Sequence, residues 1–345
     1  MTPSVLETGC EWRAEDVRDP ANWTEVLSDA ELAELDRAVA ACRDRSAALL
    51  AVGKDDFPLP TLGARLKRIE RELMEGRGFV LIRGLPRERY SNDDMCLAYW
   101  GIGAHLGTPW PQNHHGHVLG DVTDQGKTLE DPTARGNELG SIGLDYHCDG
   151  SDLIGLLCLQ TARSGGLSAV ANSVALHNEL VRQHPELARE LYEQQPYDFR
   201  GEQPSGARGW YPMPVFTRWG ERLFVRLIAA YIFASQRHAD APRLTPAARA
   251  ALKWMHAEAE SGRYSVTMDF QPGDMQFINN YHVLHGRTSY VDDRADGKVR
   301  HLKRLWLETE SLKDRPPHFR NHGRTHWAAK KSISRLDRDT SKTAE

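Results

Sequence analysis

Short apolar runs, each bounded by Gly, Pro or other turn residues, follow one another through the last two-thirds of the sequence. Runs of this length and setting are typical of buried strands rather than helices. Such strands, with helices before and between them, predict a mainly β fold with helical elaboration, built on a β-sandwich or jelly-roll core. The clearest runs are GFVLIRGL (78–85), DLIGLLCLQ (152–160), YSVTMDF (264–270), DMQFINNYHVLHG (274–286) and RHLKRLWLE (300–308).

The first hundred residues, by contrast, predict helices. Ser28 is suited to cap a helix over the segment that follows, with Glu31 at the capping-box position. A second amphipathic segment (61–76) ends at Gly76, a suitable C-cap, and Ser91 with Asp94 begins a third helix. We expect this helical part, residues 1–77, to pack on the β core as one domain spanning 1–317.

Residues that favour turns, helix caps and helix breaks recur after residue 108. The segment 108–137 is dense in Gly, Pro, Asn and Asp and predicts long loops. Helical turns over 172–194 are broken at Pro185, a hairpin turns at Gly220, and Thr245 caps a helix that begins with Pro246. The basic, polar residues 318–345 predict a loosely held C-terminal tail.

Composition excludes several classes of function. The 44 basic and 48 acidic residues are spread along the chain, so no basic cluster indicates a nucleic-acid surface. No stretch approaches the ~18 apolar residues of a membrane span, and the N-terminal residues, which have no basic start and no apolar run, do not predict a signal peptide. The five cysteines have no CxxC spacing, which favours a reducing, cytoplasmic compartment.

Three segments carry candidate metal chemistry. In LDYHCD, His147 and Asp149 are two residues apart and share one face of an extended strand. Asp145 has the same parity and is a weaker candidate. In NNYHVLHGR, His282 and His285 have opposite parity, so only one of them can face a given cavity. Two histidines and one carboxylate that leave open positions form the facial triad of non-haem iron(II) oxygenases.

The third segment supplies two arginines. Arg300 and Arg304 share strand parity, so both can point inward, where a guanidinium is a natural partner for a carboxylate. An HxD pair alone is common, and 15 histidines make a second His easy to find. The order and strand context of all three segments together therefore favour a metal site over chance.

These motifs resemble the taurine dioxygenase / clavaminate synthase-like family of Fe(II)/2-oxoglutarate-dependent oxygenases. The resemblance covers roughly residues 78–307 and rests on FVLIRGL, YHCDGSDLIGLLCL, SGGLSAVANS, PGDMQFINNYHVLHGRTSY and RHLKRLWL. It implies a double-stranded β-helix (jelly-roll) that uses iron, O₂ and 2-oxoglutarate to hydroxylate a small molecule, with release of succinate and CO₂. Desaturation or cyclisation within the same class stays open, as does an oligomeric state.

The resemblance also implies residue roles. His147, Asp149 and His285 match the iron ligands, which leaves His282 as a packing or outer residue. Arg300 matches the arginine that binds the distal carboxylate of 2-oxoglutarate, and Ser168 matches its hydroxyl partner. The acidic loop VDDRADGKV (291–299) is longer than in the shorter family members, which complicates the division of roles between Arg300 and Arg304. An acidic residue at position 149 disfavours a halogenase.

The loop TPWPQNHHGH (108–117) precedes the HxD strand, where this family usually builds part of its substrate pocket. With Arg304, its side chains suit a small polar or anionic molecule. The alternative is that the loop is an ordinary exposed turn and that Arg304 forms a structural salt bridge or binds 2-oxoglutarate itself. The loop residues concerned are Trp110, Gln112, Asn113, His114 and His115. Two rival classes are a non-oxidative cupin-like metal-binding protein, which needs no inward arginine pair, and a zinc hydrolase, which needs a general base that the sequence does not place.

Overall fold

A computed structural model of the chain describes residues 3–128, 130–131, 134–319 and 331–333. Within these residues the chain forms seven α-helices and eighteen strands. The helices are α1 (Asp29–Asp44), α2 (Pro60–Glu75), α3 (Asn92–Leu106), α4 (Ser173–Gln183), α5 (Pro185–Tyr192), α6 (Ala229–Ala234) and α7 (Pro246–Glu260). The strands are β1 (Thr24–Val26), β2 (Phe79–Arg83), β3 (Thr108–Pro109), β4 (His117–Val122), β5 (Leu144–His147), β6 (Leu153–Gln160), β7 (Ser164–Gly165), β8 (Ser168–Asn172), β9 (Gln194–Asp198), β10 (Trp210–Pro214), β11 (Phe216–Trp219), β12 (Arg222–Val225), β13 (Ser265–Met268), β14 (Met275–Asn279), β15 (Val283–Arg287), β16 (Tyr290–Val291), β17 (His301–Glu308) and β18 (Ser332–Ile333).

Two sheets form the centre of the molecule. The major sheet has the order β1-β2-β14-β6-β17-β4-β18, with β3 also paired to β17, and the minor sheet has the order β13-β8-β15-β5. One apolar cluster contains Trp306 and Ile278 from the major sheet together with Val170 and Val283 from the minor sheet. The sheets therefore pack face to face, and the predicted mainly β fold with several helices is confirmed.

The outer face of each sheet is covered by helices. On β17, Leu305 points toward α1, α2 and α3, whereas its neighbour Trp306 points into the space between the sheets. On β15, Leu284 packs with α4, α5 and α7, whereas Val283 points inward. This alternation, which strand geometry requires, leaves the inward positions of β15 and β17 facing each other across the molecule.

The predicted N-terminal caps of three helices are confirmed. Ser28 with Glu31 caps α1 and Ser91 with Asp94 caps α3, both as complete capping boxes, and Thr245 caps α7. The chain breaks between α4 and α5 at residue 184, directly before a proline, because the residue before proline is disfavoured in helical conformation. The hairpin of β11 and β12 turns at residues 220–221.

Two expectations about strands were wrong. The segment read as long loops contains β4, which pairs with β17 and buries Val118 and Leu119, although Gly120 and Asp121 mask it in the sequence. The run DMQFINNYHVLHG is two strands: β14 belongs to the major sheet and β15 to the minor sheet. The chain crosses between the sheets over residues 280–282.

Part of the expected C-terminal tail lies within the described residues. Ser332–Ile333 pairs in parallel with β4 at the edge of the major sheet, and Phe319 is buried against Phe224 and Tyr281. Residues 320–330 and 334–345 lie outside the described residues. Across the described ranges, no helix is both long enough and apolar enough to cross a membrane.

Candidate metal centre

Three side chains predicted from the sequence as ligands come together at the inner face of the minor sheet. His147 is the last residue of β5 and lies directly opposite His285 on β15, with the ring centroids 4.3 Å apart. Asp149 follows β5 by two residues. One ligand atom from each of the three lies within 4.8 Å of the others. Asp145, the weaker candidate, is outside the group, and its side chain is 78% exposed.

His147 is held in an orientation suited to metal binding. Its Nδ1 lies 2.8 Å from the backbone carbonyl of Asp145, so the neutral ring donates from Nδ1 and keeps Nε2 as the acceptor. Burial, and then the charge of His285, lower the pKa of His147 to about 4. The ring is therefore neutral at physiological pH, which is the state in which imidazole binds a metal.

Asp149 is held by the opposite sheet. Its Oδ2 accepts hydrogen bonds from Arg304 Nη1 and Trp306 Nε1, each at 3.0 Å, and lies 3.6 Å from His285 Nε2. Burial alone would raise the pKa of Asp149, but the Arg304 guanidinium and His285 outweigh it and hold that pKa well below its usual range. The carboxylate is therefore ionised and available as an anionic ligand.

The backbone of Asp149 is clamped as well. Asn280, in the crossing between the sheets, accepts from the amide of Asp149 at 2.8 Å and donates to its carbonyl at 2.9 Å. It also donates to the carbonyl of Ser151. The buried Arg226 donates from Nη1 to the same Asp149 carbonyl. Neither Asn280 nor Arg226 was predicted from the sequence, because nothing in their spacing connects them to the HxD segment.

His282 does not join the cluster. It lies in the turn before β15, where its Nδ1 is 3.3 Å from Asn279 Nδ2 and its Cβ packs close to Gly78. Burial lowers its pKa to about 4. From parity, His282 and His285 were expected to lie on opposite faces of one strand, but only His285 is in a strand. The choice between them follows from the sheet crossing rather than from alternation.

A second polar cluster lies further along the same face of β15. Arg300 is 4% exposed; its Nε donates to the carbonyl of Gly166 at 3.3 Å, and its Nη1 has no hydrogen-bond partner among the described residues. Burial, and then the neighbouring Arg287, lower the pKa of Arg300 to about 10. Ser168 is buried and donates to Gln276 Oε1 at 3.2 Å. A buried guanidinium with unused hydrogen-bond donors is stabilised by binding an anion.

The residues predicted for substrate binding are placed unequally. Gln112 is 2% exposed, and its amide bonds to Val118 and to Arg304, accepting from Arg304 Nε at 2.8 Å. Arg304 therefore lies between Gln112 and Asp149. Trp110 is half-buried against the cluster between the sheets. Gln112 is thus positioned to act through Arg304, and its direct contact with substrate stays a prediction.

The remaining loop residues have local partners. Asn113 accepts from the amides of His115 and His117 and closes a tight turn. The half-exposed His114 lies 2.9 Å from Glu202, which also contacts Arg135. Contact of Asn113 or His114 with substrate stays a prediction.

Comparison with known proteins extends this description. The chain is 30% identical to FR-33289 synthase of Streptomyces rubellomurinus over 323 residues, covering 92% of this chain and 94% of that protein. It is 27% identical to a taurine hydroxylase-like protein of Stachybotrys chartarum over 316 residues, covering 89% and 80%.

Solved structures share the fold. Asparagine oxygenase in complex with Fe(II), 3-hydroxyasparagine and succinate has a TM-score of 0.64 at 19% identity, covering 83% of this chain and 94% of that one. The non-haem iron oxygenase OrfP in complex with Fe and alpha-ketoglutaric acid has a TM-score of 0.62 at 17% identity, with the same coverage.

The relationships in sequence place the protein among the Fe(II)- and 2-oxoglutarate-dependent dioxygenases, which use O₂ as oxidant. The chain belongs to the taurine catabolism dioxygenase TauD, TfdA family, whose model matches residues 43–306. This confirms the resemblance drawn from the motifs, and it favours the dioxygenase over the cupin-like and zinc-hydrolase alternatives.

Proposed function

We propose that this dioxygenase hydroxylates a small polar or anionic organic molecule, with Fe(II) held by His147, Asp149 and His285. The observation that carries the assignment is the convergence of two imidazole nitrogens and one carboxylate oxygen within 4.8 Å. That donor set fits mononuclear Fe(II). The two packed sheets support a double-stranded β-helix core, with 1–317 as a single domain.

We assign the distal carboxylate of 2-oxoglutarate to Arg300 and Ser168. The unpartnered Nη1 of Arg300 supports this, because a buried cation without its full set of acceptors is costly until an anion arrives. When bound, iron and 2-oxoglutarate supply the oxidising chemistry, with succinate and CO₂ as co-products. The protein holds the ligands in orientation through Asn280, Arg304 and Trp306.

The substrate assignment rests on charge. Arg304 points into the space between the sheets, beside Asp149, and its side chain is 12% exposed, so it can meet a bound molecule. A fixed guanidinium favours a substrate with a carboxylate or similar anion. Two structural neighbours hold hydroxylated amino acids, 3-hydroxyasparagine and (3S)-hydroxy-L-arginine. We therefore propose hydroxylation of an amino-acid-like compound in preference to desaturation or cyclisation.

The decisive experiment measures succinate formed from 2-oxoglutarate by the purified protein with and without added Fe(II). A panel of amino acids and other small anions is included, and the expected result is iron-dependent succinate release that one class of compound stimulates. His285→Ala, which removes one ligand, is the matched negative control. Succinate release that does not depend on iron, or that His285→Ala retains, would contradict the assignment.

A further inference from the structure

Arg287 is a buried cation that the proposed function does not use. It lies two residues after His285 on β15, so its side chain leaves the strand on the same inner face. In the register of the minor sheet it is directly opposite Ser168. The backbone of Arg287 therefore lies beside Ser168, one of the two residues assigned to 2-oxoglutarate, and the residue is only 6% exposed.

The guanidinium of Arg287 is incompletely bonded. Its Nη2 donates to the carbonyls of Leu139 and Ile142, at 3.2 and 2.8 Å. Its Nε and Nη1 have no hydrogen-bond partner among the described residues. These two carbonyl contacts orient the group without neutralising it.

Arg300 shares the same surroundings. The guanidinium carbons of Arg287 and Arg300 lie 4.8 and 5.5 Å from the ring centroid of Tyr290. The hydroxyl of Tyr290, Nη1 of Arg300, and Nε and Nη1 of Arg287 are all buried without a partner in the described parts of the chain. Two cations and a hydroxyl donor thus converge on one buried region with several donor hydrogens unused.

Among the described residues, the charges of two carboxylates act on Arg287. Asp124 is paired with Arg294, whereas Asp292 forms no ion pair with Arg287 or Arg300. Asp292 Oδ1 accepts from the backbone amide of Arg300 at 2.8 Å, and its Oδ2 is buried without a hydrogen-bond partner. Across the described ranges, neither Arg287 nor Arg300 has a carboxylate within 4.0 Å. Two positive charges against one negative charge leave room for one more anionic group.

We propose that Arg287 supplies a second guanidinium to the 2-oxoglutarate binding site. Together with Arg300, it makes this site selective for a 2-oxo acid with a distal carboxylate. The inference rests on the proposed function. Arg300 and Ser168 hold that carboxylate from one side, and Arg287 donates from the other, oriented by the carbonyls of Leu139 and Ile142. Tyr290, whose ring both guanidinium groups contact, adds its hydroxyl as a donor. The competing account is that Arg287 only fastens the loop that leads into β5.

The experiment is an anaerobic calorimetric titration of the Fe(II)-loaded protein with two ligands. One is 2-oxoglutarate, and the other is 2-oxopentanoate, which has the same chain length without the distal carboxylate. We expect Arg287→Gln to weaken the binding of 2-oxoglutarate by about tenfold or more and to leave the binding of 2-oxopentanoate unchanged. The preference for 2-oxoglutarate over 2-oxopentanoate is then lost. Arg89→Gln is the control, because Arg89 is an exposed arginine that pairs with Asp36 of α1, on the outer side of the major sheet.

Two further variants keep the test independent of folding. Arg287→Lys keeps the charge but cannot make the fork, so an intermediate preference is expected. Tyr290→Phe removes only the hydroxyl and should weaken the binding of 2-oxoglutarate but not that of 2-oxopentanoate. Thermal unfolding and iron content are measured for each protein. If Arg287→Gln and Arg287→Lys keep the parental preference while Arg300→Gln loses it, Arg287 only fastens the loop and the inference is overturned. If the parent protein itself shows no preference for 2-oxoglutarate, the proposed function fails instead.

Discussion

Arg304 Nη1 donates to Asp149 Oδ2 at 3.0 Å, so a cation from the major sheet holds the carboxylate of a proposed metal ligand that follows the edge strand of the minor sheet. Trp306, two residues further along the same face of β17, donates to the same oxygen. The position of Asp149 therefore depends on how the two sheets pack. This link between packing and ligand geometry underlies the expected effects of the variants below.

The first prediction concerns the third iron ligand. His285→Ala should lower bound iron to near background, because only two ligands remain. His282→Ala is the matched control and should retain most of the iron, since His282 lies in the preceding turn and contacts Asn279 instead. Iron is measured by metal analysis of protein purified and reloaded anaerobically. Loss of iron from His282→Ala with retention in His285→Ala would reverse the assignment.

A second prediction concerns Arg300 and the co-substrate. Arg300→Ala removes the cation proposed for the distal carboxylate, and truncating one partner of a buried charge pair costs about 2–5 kcal/mol. The dissociation constant for 2-oxoglutarate should therefore rise at least about tenfold. Arg300→Lys should recover only part of the affinity, because a point charge does not reproduce the guanidinium fork. Unchanged affinity in Arg300→Ala would show that another group holds the carboxylate.

The clamp on Asp149 leads to a third prediction. Asn280→Ala removes the hydrogen bonds to the amide and carbonyl of Asp149, so the carboxylate loses its fixed direction. Loss of such outer support typically costs about 10–100-fold in metal affinity. Asn279→Ala is a suitable control, because it disturbs the same turn through Tyr281 and Leu73 but does not touch Asp149. Equal losses of iron affinity in the two variants would show that the turn matters and the clamp does not.

The fourth prediction concerns substrate recognition. Because Arg304 also holds Asp149, the comparison is made at saturating Fe(II). Under that condition, Arg304→Ala and Gln112→Ala should both raise the dissociation constant of the substrate while 2-oxoglutarate affinity stays near the parental value. Because Gln112 bonds to Arg304, the two changes should be non-additive: Gln112→Ala should have little further effect in the Arg304→Ala background. Substrate-stimulated succinate release over a range of substrate concentrations measures this. Full additivity would mean that Gln112 contacts the substrate directly.

Several features of the protein were accessible from residue patterns alone. Capping boxes at Ser28 and Ser91 correctly predicted where α1 and α3 begin, and the proline at 185 predicted the break after α4, because these are local interactions between residues a few positions apart. The end of α1 was predicted less well: the helix was expected to run through residue 50 but ends at Asp44. Arg304 points inward from β17, as parity predicted, whereas Arg300, which was predicted to share that strand, lies one residue before it. By contrast, β4 was missed because its Gly and Asp suggest a loop, and only its pairing with β17 stabilises it as a strand.

The sequence by itself determined which residue types could bind a metal and a carboxylate, and in which short segments they lie. Only the tertiary structure decided which of them meet. His285 faces His147 because β15 pairs with β5, Asp149 is held by Arg304 because the two sheets pack face to face, and Arg287 lies beside Ser168 because β15 pairs with β8. These contacts join segments more than a hundred residues apart, and sheet pairing and core packing, rather than local propensity, bring such segments together.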